Sequence, residues 1–350
     1  MIVTDAWFPQ VNGVVRTLKA TADELGRRGH DVLMVTPEGR RTYPLPSYPE
    51  IRLSLVTAGQ IAREVEAWPP DAIHIATEGP LGWAARVHCV SAETPFTTGF
   101  HTQFAEYVGL RIRLPGARAL AWAILRRFHG PSRCVMAPTP SIVRRLEAHG
   151  FTNSKTWTRG VDHDLFKPGK RDAFDLLRPV SLFAGRLAPE KNIRAFLALD
   201  LPGSKVIVGD GPDRASLQRD FPNALFTGYR FGEELVNAIG SADVFVFPSL
   251  TDTFGLVMLE AMACGTPIAA FPVPSPIDVV REGVTGALDG DLAQAISRAL
   301  TLDRAKVREA SLDYSWGRTA ELFESMLAPI PKTIPRRAAA AQNPGFFHLR

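Results

Sequence analysis

Short apolar runs alternate with amphipathic stretches along the whole 350-residue chain. DVLMVTP (31–37), DAIHIAT (71–77), PFTTGFH (95–101) and RCVMAPTP (133–140) read as strands. So do VSLFAGR (180–186), SKVIVGDG (204–211), ALFTGY (224–229), ADVFVFPS (242–249) and TPIAAFP (266–272). Several are nearly continuous in Val, Ile, Phe and Ala, as expected of strands covered on both faces in a parallel sheet. Between them lie helical patterns. In residues 14–29, Leu18, Ala22 and Leu25 recur at helical spacing, and Gly29 sits where a C-cap belongs. Such alternation predicts an α/β protein with doubly wound sheets. It comes in two blocks, each the size of one Rossmann-like unit. Residues 158–179, with Gly, Pro and charge but no period, read as the linker between them, and the Pro-punctuated residues 331–350 as a poorly ordered tail.

Composition narrows the class only a little. A formal net charge of +4 and a pI near 9.1 suit an anionic small ligand or an acidic membrane surface and are too weak to argue for nucleic acid. The three cysteines, Cys89, Cys134 and Cys264, form no C-x-x-C pair, which argues against a disulfide framework or a zinc site and fits a reducing cytoplasm. No apolar run approaches the ~18 residues of a membrane span. The opening MIVTDAWFPQ lacks the basic-then-apolar pattern of a secretory signal. The expected location is the cytoplasm, with peripheral attachment to the inner face of the plasma membrane as an option.

The candidate chemistry concentrates in FPSLTDTFGLVMLEAMACGTPIAAFP (247–272). A helix is expected to start near Phe254 or Gly255 and to stop at Gly265 and Pro267. A helix N-terminus offers unpaired amides and a positive dipole end, and Gly255 lets an anion approach them. Asp252 precedes that end and Glu260 lies about one and a half turns inside, so phosphates could be flanked by two acceptors for sugar hydroxyls. The same spacing is compatible with a plain cap at Asp252 and a surface charge at Glu260. In FAGRLAPEKN (183–192), Arg186 and Lys191 follow a strand's C-terminal end, where open α/β sheets bind ligands. Two solvated basic residues are the competing reading. In FPQVNGVVRTL (8–18), Asn12-Gly13 opens the first helix.

These stretches together resemble the two-domain glycosyltransferases of the GT-B type, within the large group named family 4, over about residues 1–328. The most specific piece is PSLTDTFGLVMLEAMACGTP, where two acidic residues, usually both Glu, stand with seven residues between them; here they are Asp252 and Glu260. The Asp variant resembles the branch of bacterial GDP-mannose-dependent mannosyltransferases and enzymes that glycosylate lipids. The resemblance implies two Rossmann-like domains facing a central cleft. Residues 1–165, joined by a helix at 315–328, would form the acceptor side, and residues 166–314 the donor side. It implies that Asp252 contacts the donor sugar, that Phe254, Gly255 and Leu256 present their backbone to sugar and phosphate, and that Glu260 holds the ribose. Arg186 and Lys191 would hold the diphosphate, and Gly13 would line its far side. His101, in GFHTQFAEY, matches a histidine near the reacting sugar. Tyr229, in FTGYRF, falls where the base is recognised. Family members carry a few more residues ahead of IVTDAWFPQVNG, which leaves a first strand cut to almost nothing, from a misassigned start or a short core strand.

The expected reaction is retaining transfer of a hexosyl group, with GDP-mannose as first-choice donor and a UDP sugar as the alternative, to a lipid or glycan hydroxyl. No metal and no other cofactor is expected. Asp162-His163-Asp164 and Asp289-Gly290-Asp291 resemble metal-binding D-x-D motifs but read as linker or turn residues. GDGPDRASL (209–217) lacks the third glycine of a dinucleotide fingerprint, which weakens a dehydrogenase reading. A non-catalytic sugar- or lipid-binding relative stays open. Residues 111–133 carry six arginines, no acid and Trp122, which suits a helix lying on an anionic membrane or, equally, a packed helix with solvated arginines.

Overall fold

The computed structural model describes residues 1–10, 12–45, 48–103 and 116–331. The chain divides into two compact units, Met1–Thr158 with the chain from Gly317 onward, and Arg159–Trp316. The expected tail at 331–350 and the stretch 111–115 of the basic segment lie, but for Pro331, outside the described residues.

The first unit holds a six-stranded parallel sheet in the order β2-β1-β5-β6-β7-β8, built from β1 (Ile2–Val3), β2 (Met34–Val35), β5 (His74–Ile75), β6 (Thr97–Gly99), β7 (Cys134–Ala137) and β8 (Ser154–Thr156). The strand alternation sorts its two faces. Val3, Ile75, Leu81 and Phe128 pack on one side, and Ile2, Leu18, Met136, Trp157 and Phe323 on the other. Leu18 comes from α1 (Gly13–Arg27), Leu81 from α3 (Pro80–Ser91) and Phe128 from α4 (Ala117–His129). Phe323 lies on the last helix, α13 (Trp316–Met326), 4.9 Å from the Trp157 ring. That helix is held further by Trp157 Nε1 donating to the Thr319 carbonyl at 3.1 Å and by Arg28 bonding Glu324 at 2.8 Å.

The second unit repeats the architecture in the order β11-β10-β9-β12-β13-β14. Its strands are β9 (Val180–Ala184), β10 (Ser204–Val208), β11 (Leu225–Gly228), β12 (Val244–Phe247), β13 (Ile268–Ala270) and β14 (Gly286–Leu288). All pair in parallel. Phe183, Ile207, Val244 and Val246 face one layer of helices and Leu182, Val206, Phe245 and Phe247 the other, so both faces are covered.

One expectation needs correction. Residues 159–179 are not a loose linker: Val161 donates its amide to Tyr314 O at 3.1 Å, Phe166 is buried, and Arg178 bonds Asp243 at 2.8 Å, so the segment is part of the second unit. After β9 the chain makes one 3-10 turn (Pro189–Lys191), bends at Asn192 with φ 53°, and only then enters a helix, Ile193–Leu197. A β3–β4 hairpin (Thr42–Leu45 and Tyr48–Ser54) has no counterpart in the hydrophobic pattern, being polar and interrupted by proline.

Candidate active site

In the second sheet the strand order reverses between β9 and β12: the chain leaves β9 toward β10 on one side and β12 toward β13 on the other. Open α/β sheets bind ligands at the carboxyl ends of strands at such a switch point. Two loops meet here. Asn192 Nδ2 donates to Pro248 O and Ser249 Oγ to Glu190 O, both at 3.1 Å. Across the same seam Lys191 Nζ donates to Asp252 Oδ1 at 2.6 Å, with the two side chains 23% and 14% exposed. The structure thus brings together a cation and a carboxylate that stand 61 residues apart in sequence.

The loop from β12 runs into α9 (Leu256–Ala263), whose N-cap is Gly255 at φ 76°, ψ 68°. Asp252 is therefore not the N-cap residue. Glycine is required at 255, because a Cβ there would lie 2.7 Å from Phe247 Cζ in a left-handed backbone. Ser275 Oγ also donates to the Phe254 carbonyl, fixing the turn. The helix carries no acidic residue in its first turn, so its first amides face the seam without a competing charge from that turn. Glu260 is 2% exposed, which removes its reading as a surface charge. Burial first, and the Glu260 charge second, push the Cys264 thiol up to about 12, so it is no nucleophile.

Arg186 leaves the C-terminal end of β9 beside Gly185, and Tyr229 leaves that of β11. Tyr229 Oη donates to Asp210 O at 3.1 Å, and its half-exposed ring lies 5.8 Å from that of exposed Phe231 at 27°. The G-x-G at 209–211 has a packing explanation, since a Cβ on Gly209 would fall 1.9 Å from Gly185 O.

In the first unit, Asn12 Oδ1 accepts from the amides of Val14 and Val15 at 3.0 Å, which places Gly13 at the start of α1. His101 follows β6, is buried, and meets the Trp157 ring edge-on at 5.7 Å. Gly13 and His101 belong to the first unit; Arg186, Lys191, Tyr229, Asp252, Phe254, Gly255, Leu256 and Glu260 belong to the second.

Residues 11–165 match the family Glycosyltransferase Family 4, and residues 178–302 match Glycosyl transferases group 1. A GDP-mannose-dependent alpha-mannosyltransferase of Mycobacterium tuberculosis is 32% identical over 82% of each chain. The chain is a family 4 glycosyltransferase. A sulfoquinovosyl transferase of Arabidopsis thaliana is 30% identical over 90% of this glycosyltransferase and 70% of that protein. Among solved structures, sucrose-phosphate synthase from Thermosynechococcus elongatus superposes with a TM-score of 0.73 at 19% identity, over 93% of this chain and 97% of that one, which shows the GT-B type of fold.

Both D-x-D triplets of the transferase are turns. Asp162 Oδ1 accepts from the Asp164 and Leu165 amides at 3.0 and 3.1 Å, and Asp289 Oδ1 accepts from the Asp291 amide at 2.9 Å. Among the described residues no three His, Cys, Asp or Glu side chains cluster as a metal site would need. In the basic segment, Trp122 is buried and stacks on His149 at 3.8 Å, so it is a core residue of the transferase and not a membrane anchor. Leu120 and Ile124, 63% and 42% exposed, form the outer apolar face of α4 instead.

Two features of the structure go beyond the sequence pattern. Phe231 was passed over beside Tyr229, although two aromatics spaced by one residue after a strand were visible. The second is a chain of polar groups in the first unit. Fully buried His129 bonds Thr98 Oγ1 through Nδ1 at 2.9 Å and Glu78 Oε1 through Nε2 at 3.1 Å. Its members lie 31 and 51 residues from His129, and no local spacing signals them.

Proposed function

We propose that this glycosyltransferase moves mannose from GDP-mannose to a hydroxyl of a lipid or glycan, with retained configuration and without a metal ion. The observation that carries the reading is the Lys191–Asp252 pair at the switch point, beside the open N-terminus of α9. Diphosphate chemistry needs positive charge where the leaving group gathers negative charge, and Lys191, Arg186 and the α9 amides supply it there. Sugar hydroxyls need acceptors next to that charge, and Asp252 is such an acceptor. Glu260, one turn further along α9, would take the ribose hydroxyls, and the Tyr229–Phe231 rings would pack on the base. No carboxylate stands out as a nucleophile. Front-face attack is therefore favoured, with an oxygen of the departing diphosphate accepting the acceptor's proton. His101 would lie beside the reacting sugar, and Gly13 along the phosphates.

The donor assignment rests on the mycobacterial relative, whose name specifies GDP-mannose. The sulfoquinovosyl transferase relative favours a second reading, in which the donor is another nucleotide sugar, including UDP-hexoses, and the product a glycolipid. A thermal-shift panel of GDP, UDP, ADP and NAD without metal separates these. A ligand bound only by the folded state at 100 times its dissociation constant stabilises it by about 2.7 kcal/mol. A shift with GDP alone supports mannosyl transfer, a shift with UDP alone moves the donor to a UDP sugar, and a shift with NAD alone removes the reading. Absence of donor hydrolysis in a protein that binds the nucleotide sugar would favour a non-catalytic relative. Turnover abolished by EDTA and restored by magnesium would refute metal independence.

Attachment to an anionic membrane is also proposed. Its support is the outer face of α4, where exposed Leu120 and Ile124 lie beside exposed Arg127. No described helix is long and apolar enough to cross a membrane. Failure to sediment with anionic vesicles at low salt would remove the idea.

A further inference from the structure

Lys191 meets the Asp252 carboxylate at the switch point, and that pairing has a consequence for which nucleotide the site prefers. The pair is not an accident of two mobile side chains. Lys191 closes the 3-10 turn through its own amide, bonded to Ala188 O at 2.9 Å, and the adjoining loops are tied by Asn192 to Pro248 and by Ser249 to Glu190. A diphosphate that reaches Lys191 shares its ammonium with Asp252 and competes with the carboxylate for that charge. What the carboxylate does next depends on the terminal phosphate. In an intact nucleotide sugar that phosphate is a diester-like group with one negative charge, and the attached sugar brings hydroxyl donors that can replace Lys191 on the carboxylate. In a spent nucleoside diphosphate it is a monoester whose second proton leaves near pH 6, so it carries close to one further negative charge and no sugar donors. At a largely buried carboxylate that extra charge is repelled with little screening.

We infer that Asp252 discriminates the intact donor from the spent nucleoside diphosphate by competing with the diphosphate for Lys191. The inference rests on the nucleotide-sugar reading above. Asp252 thereby favours product departure as well as donor capture, because the same side chain loses its sugar partners and gains a repulsive neighbour when the glycosyl group leaves.

The test uses the full chain and four probes, GDP, UDP, GDP-mannose and UDP-glucose, titrated without acceptor by calorimetry against wild type, Asp252→Asn and Asp252→Ala. Removing the charge should tighten the free diphosphate about fivefold, the size of a partly screened ion pair. It should weaken the matching nucleotide sugar by about tenfold, the size of a lost charge-assisted hydrogen bond. The ratio of the two dissociation constants thus moves by more than either alone. Parallel weakening of both ligands, or an unchanged ratio in both variants, overturns the inference while wild-type binding keeps the donor reading. Wild type binding none of the four probes removes the donor reading itself, and this inference with it. The two substitutions guard against a folding defect in one, and each is compared with wild type by its thermal melt.

Discussion

Replacing Lys191 by alanine separates its electrostatic role in turnover from its structural role. Structurally, the substitution takes the Lys191 ammonium away from the Asp252 carboxylate, which is 14% exposed. Exposed pairs are worth about 0.2–1 kcal/mol, and breaking a fully buried one costs about 3–5 kcal/mol. With the lysine itself 23% exposed, the loss should fall between, at about 1–2 kcal/mol. For a unit of this size that lowers the melting temperature by about 3–6 °C. Lys191→Ala/Asp252→Ala removes the carboxylate as well and should recover part of that loss. Turnover should behave differently. On the proposed mechanism Lys191 neutralises the departing diphosphate, and loss of one such contact lowers kcat by about 100- to 1000-fold. The double variant should stay as inactive as the single. Calorimetric melts and initial rates of GDP-mannose hydrolysis without acceptor measure the two effects. Near-wild-type turnover in Lys191→Ala refutes the phosphate site. A double variant whose loss equals the sum of the two single losses refutes the coupling of the two side chains.

Gly255→Ala should destabilise by about 1–3 kcal/mol, because the new Cβ would meet Phe247 in a left-handed backbone, and a melt indistinguishable from wild type would contradict this. His129→Phe removes the bonds to Thr98, which keeps Ser132, and to part-exposed Glu78, and should cost about 1–2 kcal/mol, read by urea unfolding. His163 gives a pH prediction. Burial, then the Arg308 charge, hold its folded pKa below the ordinary 6.5. The unfolded chain therefore takes a proton at higher pH than the folded one. Stability linked to His163 is full above about pH 6.5 and is lost as pH falls from there through the lower folded pKa. His163→Gln should flatten that dependence in melts between neutral and mildly acidic pH; an unchanged slope would contradict it.

The parts legible in the sequence were those where one residue type serves one physical purpose. Strands covered on both faces must be apolar throughout, so β9, β10 and β12 announce themselves. The turn into α9 needs a glycine and is followed by an apolar helix, so its position could be read within two residues. What stayed hidden depends on contacts between distant residues or on elements too short to show a period. β1 has two residues, and β8, Ser-Lys-Thr, lies at the sheet edge with half-exposed side chains. Nothing local shows that Glu260 is buried, that Lys191 reaches Asp252, or that Trp122 turns inward onto His149 and Phe151. A basic amphipathic pattern gives the charge of a helix face but not which of its aromatic residues faces out.

Each of the two sheets has its own switch point, and the helix ends there differ in a way that bears on which unit takes the phosphates. In the first sheet the order reverses between β1 and β5, and α3 follows β5 as α9 follows β12. The amides that open α3 are already used: Leu81 N and Gly82 N donate to the carboxyl oxygens of Asp5, at 3.0 and 3.3 Å, from the loop after β1. Thr77 Oγ1 bonds the same carboxyl at 3.1 Å, and a Cβ on Gly79 would lie 2.4 Å from its Oδ2, so the helix end is closed by the protein itself. The equivalent loop in the second unit, after β9, carries the two cations Arg186 and Lys191 together with Glu190. The first unit thus closes its helix end with an acceptor of its own, while the second holds cations beside its helix end, and the second is the better suited to an incoming diphosphate. Asp5→Asn should lower the melting temperature, because an amide nitrogen would replace one of the two oxygens that α3 needs. On this reasoning it should leave GDP affinity unchanged. A GDP affinity that fell as far as in Lys191→Ala, with the second unit's melt intact, would place the diphosphate at the first unit's switch point.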